Sequence, residues 1–250
     1  MQRDERTLTL LLVRHGETQW NAENRWQGQR DIPLSDTGRQ QAILLQQRLH
    51  NAWQHGILPV PHTLYSSDLS RAIETASVLQ TALPCPVPHM QLSTIRERDF
   101  GSWEGLTHAE VKAQFGSALL PHDGESYISV WNRMQSALEQ IWQAAFVAPE
   151  QTEDTVLVVG HGGSLRMLLA RALGAGVDEA RRFRLGNTSL SVVVFHGTEP
   201  TTAEGHLRLV NDTAHLEVAH LSDVPNQQPQ EQYEGADGTG KREYPVTENP

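Results

Sequence analysis

Four short stretches hold residues whose types and spacing can do chemistry on a charged centre. The first is Leu11-Leu-Val-Arg-His-Gly-Glu-Thr18. Arg14 precedes His15 and Gly16 follows it, so a fixed cation and an unhindered backbone flank the imidazole. An imidazole with its ordinary pKa of roughly 6.5 is largely neutral at pH 7, and its free ring nitrogen is then a competent nucleophile. A phosphorus centre suits this pairing, because the cation offsets charge on the group under attack. Alone, a histidine after a strand is more often structural than catalytic.

The second stretch is Ser66-Ser-Asp-Leu-Ser-Arg-Ala-Ile-Glu-Thr75. Asp68 or Ser70 can cap a following helix, which leaves Arg71 near its N-terminus. Free backbone N–H groups and a guanidinium there make an oxyanion site. The plainer alternative is an ion pair of Arg71 with Glu74 or Glu97. In Arg96-Glu-Arg-Asp-Phe-Gly-Ser-Trp-Glu-Gly105, Glu97 can protonate a leaving oxygen and later act as a base toward water; otherwise it is a surface carboxylate. The fourth stretch is Val159-Gly-His-Gly-Gly-Ser164. Gly162 and Gly163 let a backbone approach a ligand, the helix after them supplies N–H donors, and His161 can hold phosphate oxygens. No HExxH or comparable metal-ligand spacing appears among the twelve histidines.

These residues need elements to position them. Thr7–Val13 and Thr155–Val159 are short continuous apolar runs, as expected of strands buried on both faces. Thr63–Tyr65 is a shorter candidate strand. Ser35 can cap a helix carrying Ala42, Leu45 and Leu49 on one face, and Thr107 with Glu110 forms a capping box ahead of Val111 and Phe115. From Tyr127 through Trp131 and Trp142 to Ala145, apolar residues recur at helical spacing, which reads as a buried helix face rather than an aromatic binding box. Alternating strands and helices predict an α/β fold with a mainly parallel sheet. Both His15 and His161 fall just beyond the carboxyl end of an apolar strand, where open parallel sheets bind ligands.

Taken together, the stretches 14–21 (RHGETQWN), 67–76 (SDLSRAIETA), 97–105 (ERDFGSWEG) and 160–163 (GHGG) resemble the histidine phosphatase superfamily, with its phosphoglycerate mutase-like fold. Gln27-Gly28, Asp31-Ile-Pro-Leu34, Gly38–Ala42, Gly124-Glu-Ser126 and Gly186-Asn187 are similar to the family pattern too, so the resemblance spans nearly all of residues 7–221. It implies a three-layer α/β/α sandwich with a mainly parallel central sheet. It also implies that His15 is the nucleophile and becomes phosphohistidine, that Arg14, Arg71 and His161 bind the phosphoryl group, and that Glu97 protonates the leaving oxygen. Asn21, Gln27, Gly28 and Gly162 are expected in the same pocket. No metal or other cofactor is required, because the cationic side chains take a metal's place.

The family contains mutases and phosphatases. Family mutases resemble one another in a longer basic insertion after the Glu segment that holds a second anionic group. Here residues 100–126 are compact, their only Lys or Arg is Lys112, and Glu97-Arg-Asp-Phe-Gly101 replaces the mutase-type ERHYG. These departures, with Trp103-Glu-Gly105, point to a phosphatase resembling the broad-specificity and α-ribazole branches. Phosphoglycerate mutase is the alternative, and a non-catalytic phosphate-binding or scaffold protein is a second. All five core residues are present, which counts against the scaffold. Arg25, Arg96 and Arg98 can select acidic substrates, but a solvated position is the simpler expectation for each. Trp103 is expected to be either a pocket cover or a buried structural residue.

The 250 residues, 38% of them hydrophobic, suffice for a real core. A net charge of −10 argues against nucleic acid or an anionic membrane as partner, since both need clustered cations. The expected partner is a small phosphorylated metabolite, and oligomeric state is not legible. Cys85 stands alone, so no intrachain disulfide forms and a cytoplasmic setting is expected. No segment is long and apolar enough to span a membrane, and no signal peptide is recognisable. Residues 222–250 carry four Pro, four Gln, three Gly and six acidic against two basic residues. They read as a flexible tail after a domain covering 1–221, with a partner-binding peptide as the alternative.

Overall fold

The computed structural model describes residues 4–116, 121–148 and 150–217. In chain order the elements are β1 (Arg6–Arg14), α1 (Gln19–Ala22), α2 (Asp36–Gln54), β2 (Thr63–Ser66), α3 (Ser70–Gln80), β3 (His89–Gln91), α4 (His108–Phe115), α5 (Tyr127–Ala145), β4 (Glu153–Gly160), α6 (Gly162–Ala172), α7 (Val177–Ala180), β5 (Leu190–Gly197), β6 (Glu204–Asp212) and α8 (Ala214–Glu217). The tail expected over 222–250 lies outside the described residues.

The six strands form one sheet in the order β3-β2-β4-β1-β5-β6. β1, β2, β3 and β4 pair in parallel, whereas β5 runs antiparallel to both β1 and β6. The sheet is therefore mixed, with a parallel centre. β1 shows why its apolar run is continuous. Leu8, Leu10 and Leu12 point into one core with α5 and α6, while Leu11 and Val13 point into the other with α2 and α3. Successive strand side chains alternate faces, so a strand covered by helices on both sides must be apolar throughout. The result is the α/β/α layering. β6 is an edge strand and alternates exposed with half-buried positions instead.

Helix starts follow the expected signals with one exception. Ser35 accepts the Gly38 N–H at 3.0 Å, and Thr107 with Glu110 closes the capping box of α4. α3, however, has Leu69 as its N-cap residue, and the Ser70 N–H donates instead to Asp31 Oδ1 at 2.7 Å. Asp68 is drawn away by a bidentate contact from Arg96, at 2.6 Å on both oxygens, and the Ser70 hydroxyl makes no hydrogen bond. A charge-assisted pair outcompetes a local cap for the same carboxylate. A small satellite cluster of Trp26, Trp103 and Val111 lies under α4.

Candidate active site

The parallel pairing of β1 with β4 creates the centre of the site. Arg14 is in register with Gly160, and the His15 N–H donates to the Gly160 carbonyl at 2.9 Å. The next residues of the two strands, His15 and His161, thus emerge side by side, with ring centroids 5.1 Å apart. The His15 Nδ1 lies 2.6 Å from the Gly16 carbonyl oxygen. A carbonyl only accepts, so Nδ1 carries the proton and Nε2 keeps its lone pair. Burial pushes the His15 pKa well below its ordinary value, and Arg71 and Arg14 push the same way.

The loop around His15 is held from three directions. The Gly16 N–H donates to the Thr75 hydroxyl at 3.1 Å, and that hydroxyl donates to the Arg71 carbonyl at 2.7 Å. Asn187 Nδ2 donates to the His15 carbonyl at 3.0 Å. The Thr188 N–H donates to the Arg14 carbonyl at 3.0 Å. Thr18 caps α1 and brings Asn21 inward, and its hydroxyl donates to Gln27 Oε1 at 2.9 Å. That bond occupies the Gln27 acceptor and leaves its NH2 as a donor at the cavity wall.

Arg71 is fully buried and donates to the carbonyls of Arg30 and Gly28 at 2.7 and 2.8 Å. It forms no ion pair with Glu74, which is bound by Arg39 at 2.6 Å. Arg14 donates to the Leu185 carbonyl at 2.6 Å. Burial lowers both guanidinium groups to about 10, opposed first by Glu97. Gly28 adopts φ +55°, and a Cβ there would fall 1.8 Å from Glu104 Oε1. A side chain there would be strained by the backbone and would have to displace the Glu104 carboxylate.

Glu97 is not a surface carboxylate: it is 8% exposed and lines the cavity. Its Oε1 accepts the Arg98 N–H at 2.8 Å and its Oε2 accepts the Gly163 N–H at 3.0 Å. Arg133 on α5 clamps this segment by donating to the carbonyls of Thr94, Arg96 and Glu97, and is itself held by Glu125. His161 is fully buried as the N-cap of α6, and neither ring nitrogen has a hydrogen-bond partner among the described residues. Burial, then Arg71 and His15, hold its pKa well below the ordinary value.

Arg14, His15, Asn21, Gln27, Gly28, Arg71 and Glu97 all line one cavity. Gly162 does not; Gly163 takes the wall position, and His161 packs behind His15. Arg98 departs from the solvated expectation, being 2% exposed on the cavity wall. Arg25 and Arg96 are tied to Glu23, Glu110 and Asp68. Trp103 is buried beside Trp26, outside the wall. Tyr127, the first residue of the α5 stripe, packs against the core and also lines the cavity. Sequence reasoning missed Arg133, Arg166, Arg181 and Arg184; the signal was the RRFR run at 181–184 in an otherwise acidic chain. Among the described residues no three His, Cys, Asp or Glu side chains gather to hold a metal ion. No described helix is long and apolar enough to cross a membrane.

Residues 10–206 match the histidine phosphatase superfamily (branch 1). A glucosyl-3-phosphoglycerate phosphatase of Mycolicibacterium vanbaalenii is 35% identical over 69% of this chain and 77% of its own length. A probable phosphoglycerate mutase GpmB of Proteus mirabilis is also 35% identical, over 87% of this chain and 96% of its own. Among solved structures, a mycobacterial glucosyl-3-phosphoglycerate phosphatase in complex with VO3 is similar, with a TM-score of 0.70 at 29% identity, covering 81% of this chain and 98% of that one. A phosphoserine phosphatase of Entamoeba histolytica in complex with 3-phosphoglyceric acid is similar with a TM-score of 0.64 at 27% identity, over 84% and 99% of the two chains.

Proposed function

The chain belongs to the histidine phosphatase superfamily, and from that premise we propose that it is a metal-independent phosphatase hydrolysing small phosphomonoesters through a phosphohistidine on His15. The observation that carries the reading is the His15 tautomer: Nδ1 is committed to the Gly16 carbonyl at 2.6 Å, so Nε2 is the nucleophile. Nε2 attacks phosphorus in line and the ester P–O bond breaks. Glu97 gives its proton to the departing oxygen. Water then attacks the phosphohistidine, the P–N bond breaks, and Glu97 takes the proton back as inorganic phosphate forms.

Arg14, Arg71 and His161 stabilise charge on the equatorial oxygens, and Asn21, Gln27 and the Gly28 backbone orient the group. In phosphoryl transfer, positioning and charge do most of the work. The reaction is expected in the cytoplasm, in keeping with the single, exposed Cys85.

The GpmB relatives favour phosphoglycerate mutase as a second reading. A phosphorus NMR time course with 3-phosphoglycerate and a phosphomonoester panel, with EDTA present, separates the two. Inorganic phosphate without 2-phosphoglycerate is the expected result, and His15→Ala is expected to abolish turnover and phosphoenzyme together. Production of 2-phosphoglycerate would establish the mutase. Loss of activity in EDTA with recovery on adding a divalent ion would overturn the metal-independent reaction.

A further inference from the structure

Among the described residues, seven arginines line the cavity against one carboxylate, Glu97, in a chain whose formal charge is −10. Arg14 and Arg71 are assigned to the phosphoryl group, and two guanidinium charges already match a monoester dianion. Arg25 is held by Glu23 at 2.7 Å and Glu110 at 3.3 Å. Arg98, Arg166 and Arg184 remain, and the phosphoryl group needs none of them.

Arg98 is the most telling. It is 2% exposed; among the described residues its Nε, Nη1 and Nη2 meet no acceptor in good hydrogen-bonding geometry, and Tyr127 is the side chain that interacts with it most. Its Cζ lies 4.1 Å from the Tyr127 centroid and 4.8 Å from that of Phe100. Arg181 lies over the same Tyr127 ring at 4.8 Å. Arg166 projects from α6 with its Nε also buried without an acceptor. Burial lowers the Arg166 pKa, Glu97 and Tyr127 oppose this, and Arg184 and Arg98 lower it further. Like charges gathered on one cavity wall destabilise one another, and burying the Arg98 and Arg166 guanidinium groups with so few acceptors is costly. An anion bound during the working cycle offsets both effects.

We propose that Arg98, Arg166 and Arg184, with Tyr127 as stacking floor, form a second oxyanion subsite. The substrate is then a small phosphomonoester bearing a second negative group, a carboxylate or another phosphoryl. This rests on reading the His15 end as the phosphoryl site. Arg98 adjoins Glu97 in the chain and its N–H bonds the Glu97 carboxylate, so the second anion belongs to the leaving-group portion, which Glu97 protonates. The forked guanidinium edge suits either oxyanion. The basic residues missing from 100–126 are thus supplied by α6 and the segment joining α7 to β5.

Calorimetric titration of the His15→Ala protein in EDTA tests this with three ligands: glycerol 3-phosphate, 3-phosphoglycerate and glycerol 1,3-bisphosphate. At least one doubly anionic ligand is expected to bind tenfold or more tighter than glycerol 3-phosphate, and the bisphosphate arm tells phosphoryl from carboxylate selection. Arg98→Met is expected to remove most of that preference. Arg184→Gln, at an exposed position that tolerates substitution, is expected to reduce it at least threefold should the Arg98 variant not fold. Binding of all three ligands within twofold, or a preference that survives the substitutions, would overturn the subsite. A tenfold preference in a protein whose wild type hydrolyses none of the three would instead overturn the phosphatase reading and leave the subsite standing.

Discussion

His15 serves as a nucleophile only while its Nε2 lone pair is free, and its surroundings enforce that state through burial and the charges of Arg71 and Arg14. The same forces act on stability. The folded-state pKa values of His15 and His161 lie below the unfolded value of about 6.5, so the unfolded chain takes up protons first as pH falls. The stability that comes from keeping these rings neutral is complete above pH 6.5 and is lost below it, at up to ~1.4 kcal/mol per pH unit for each ring. His215, lowered to about 4 chiefly by burial, adds to the loss between 6.5 and 4. Urea unfolding is therefore expected to show a lower midpoint at pH 5.5 than at 7.5. Saturating inorganic phosphate should shrink the difference, because a bound anion favours the protonated rings. A flat profile without phosphate would contradict this account. Glu97 is placed by sterics as well as charge: a Cβ on Gly163 would fall 2.1 Å from its Oε1, so the close approach of α6 depends on that glycine.

The catalytic loop after β1 is registered against α2 by two facing glycines. A Cβ on Gly38 would lie 2.0 Å from the Glu17 carbonyl oxygen, and one on Gly16 would lie 2.5 Å from the Gly38 oxygen. Gly38→Ala cannot be absorbed by a flexible side chain, since backbone meets backbone. It is expected to destabilise the fold by about 1–3 kcal/mol, the usual cost of overpacking, and to lower kcat by shifting His15. Denaturant unfolding together with kinetics on one monoester would check both effects; wild-type values for each would mean the two segments are free to separate. Much at this scale is readable from residue order. β1 and β4 announce themselves as two-faced strands, and the α5 stripe reads correctly from Tyr127 onward. The α3 cap was not readable, because Asp68 is claimed by Arg96, 28 residues away, and the Ser70 N–H is met by Asp31, 39 residues away. Nor was the arginine subsite. Arg98, Arg166 and the run at 181–184 are far apart in sequence, and only the packing of α6 and α7 with α5 and the segment after β3 brings them to one wall. Gly163 rather than Gly162 reaches the cavity because the first turn of α6 rotates one glycine away, a detail that spacing does not carry.

At the scale of the whole chain, the last described elements belong to the site although they are remote in sequence. β6 pairs with β5, and α8 follows it directly. His215 and Leu216 are buried there, and His215 Nε2 lies 2.9 Å from the Thr188 hydroxyl. The Thr188 N–H in turn bonds the Arg14 carbonyl at 3.0 Å. The structural unit therefore extends past the family match, which ends at residue 206, through at least Glu217. Residues 222–250 differ in kind, with four Pro and six acidic residues in 29 positions and only scattered apolar side chains. Such a composition contributes little burial to offset its ordering entropy. Ending the chain at Leu221 is expected to move the melting temperature by no more than about 2 °C, equivalent to at most about 1 kcal/mol for a domain of this size, and to leave kcat/KM within twofold. Ending it at Asp212 removes His215 and Leu216, and the lost burial of Leu216 alone is worth about 1.5–3 kcal/mol. That shorter chain should melt several degrees lower and lose activity through Thr188 and Arg14. Differential scanning calorimetry of the two truncations decides the matter. A large drop already at Leu221 would mean that residues 222–250 pack on the domain, against the reading of them as a separate tail.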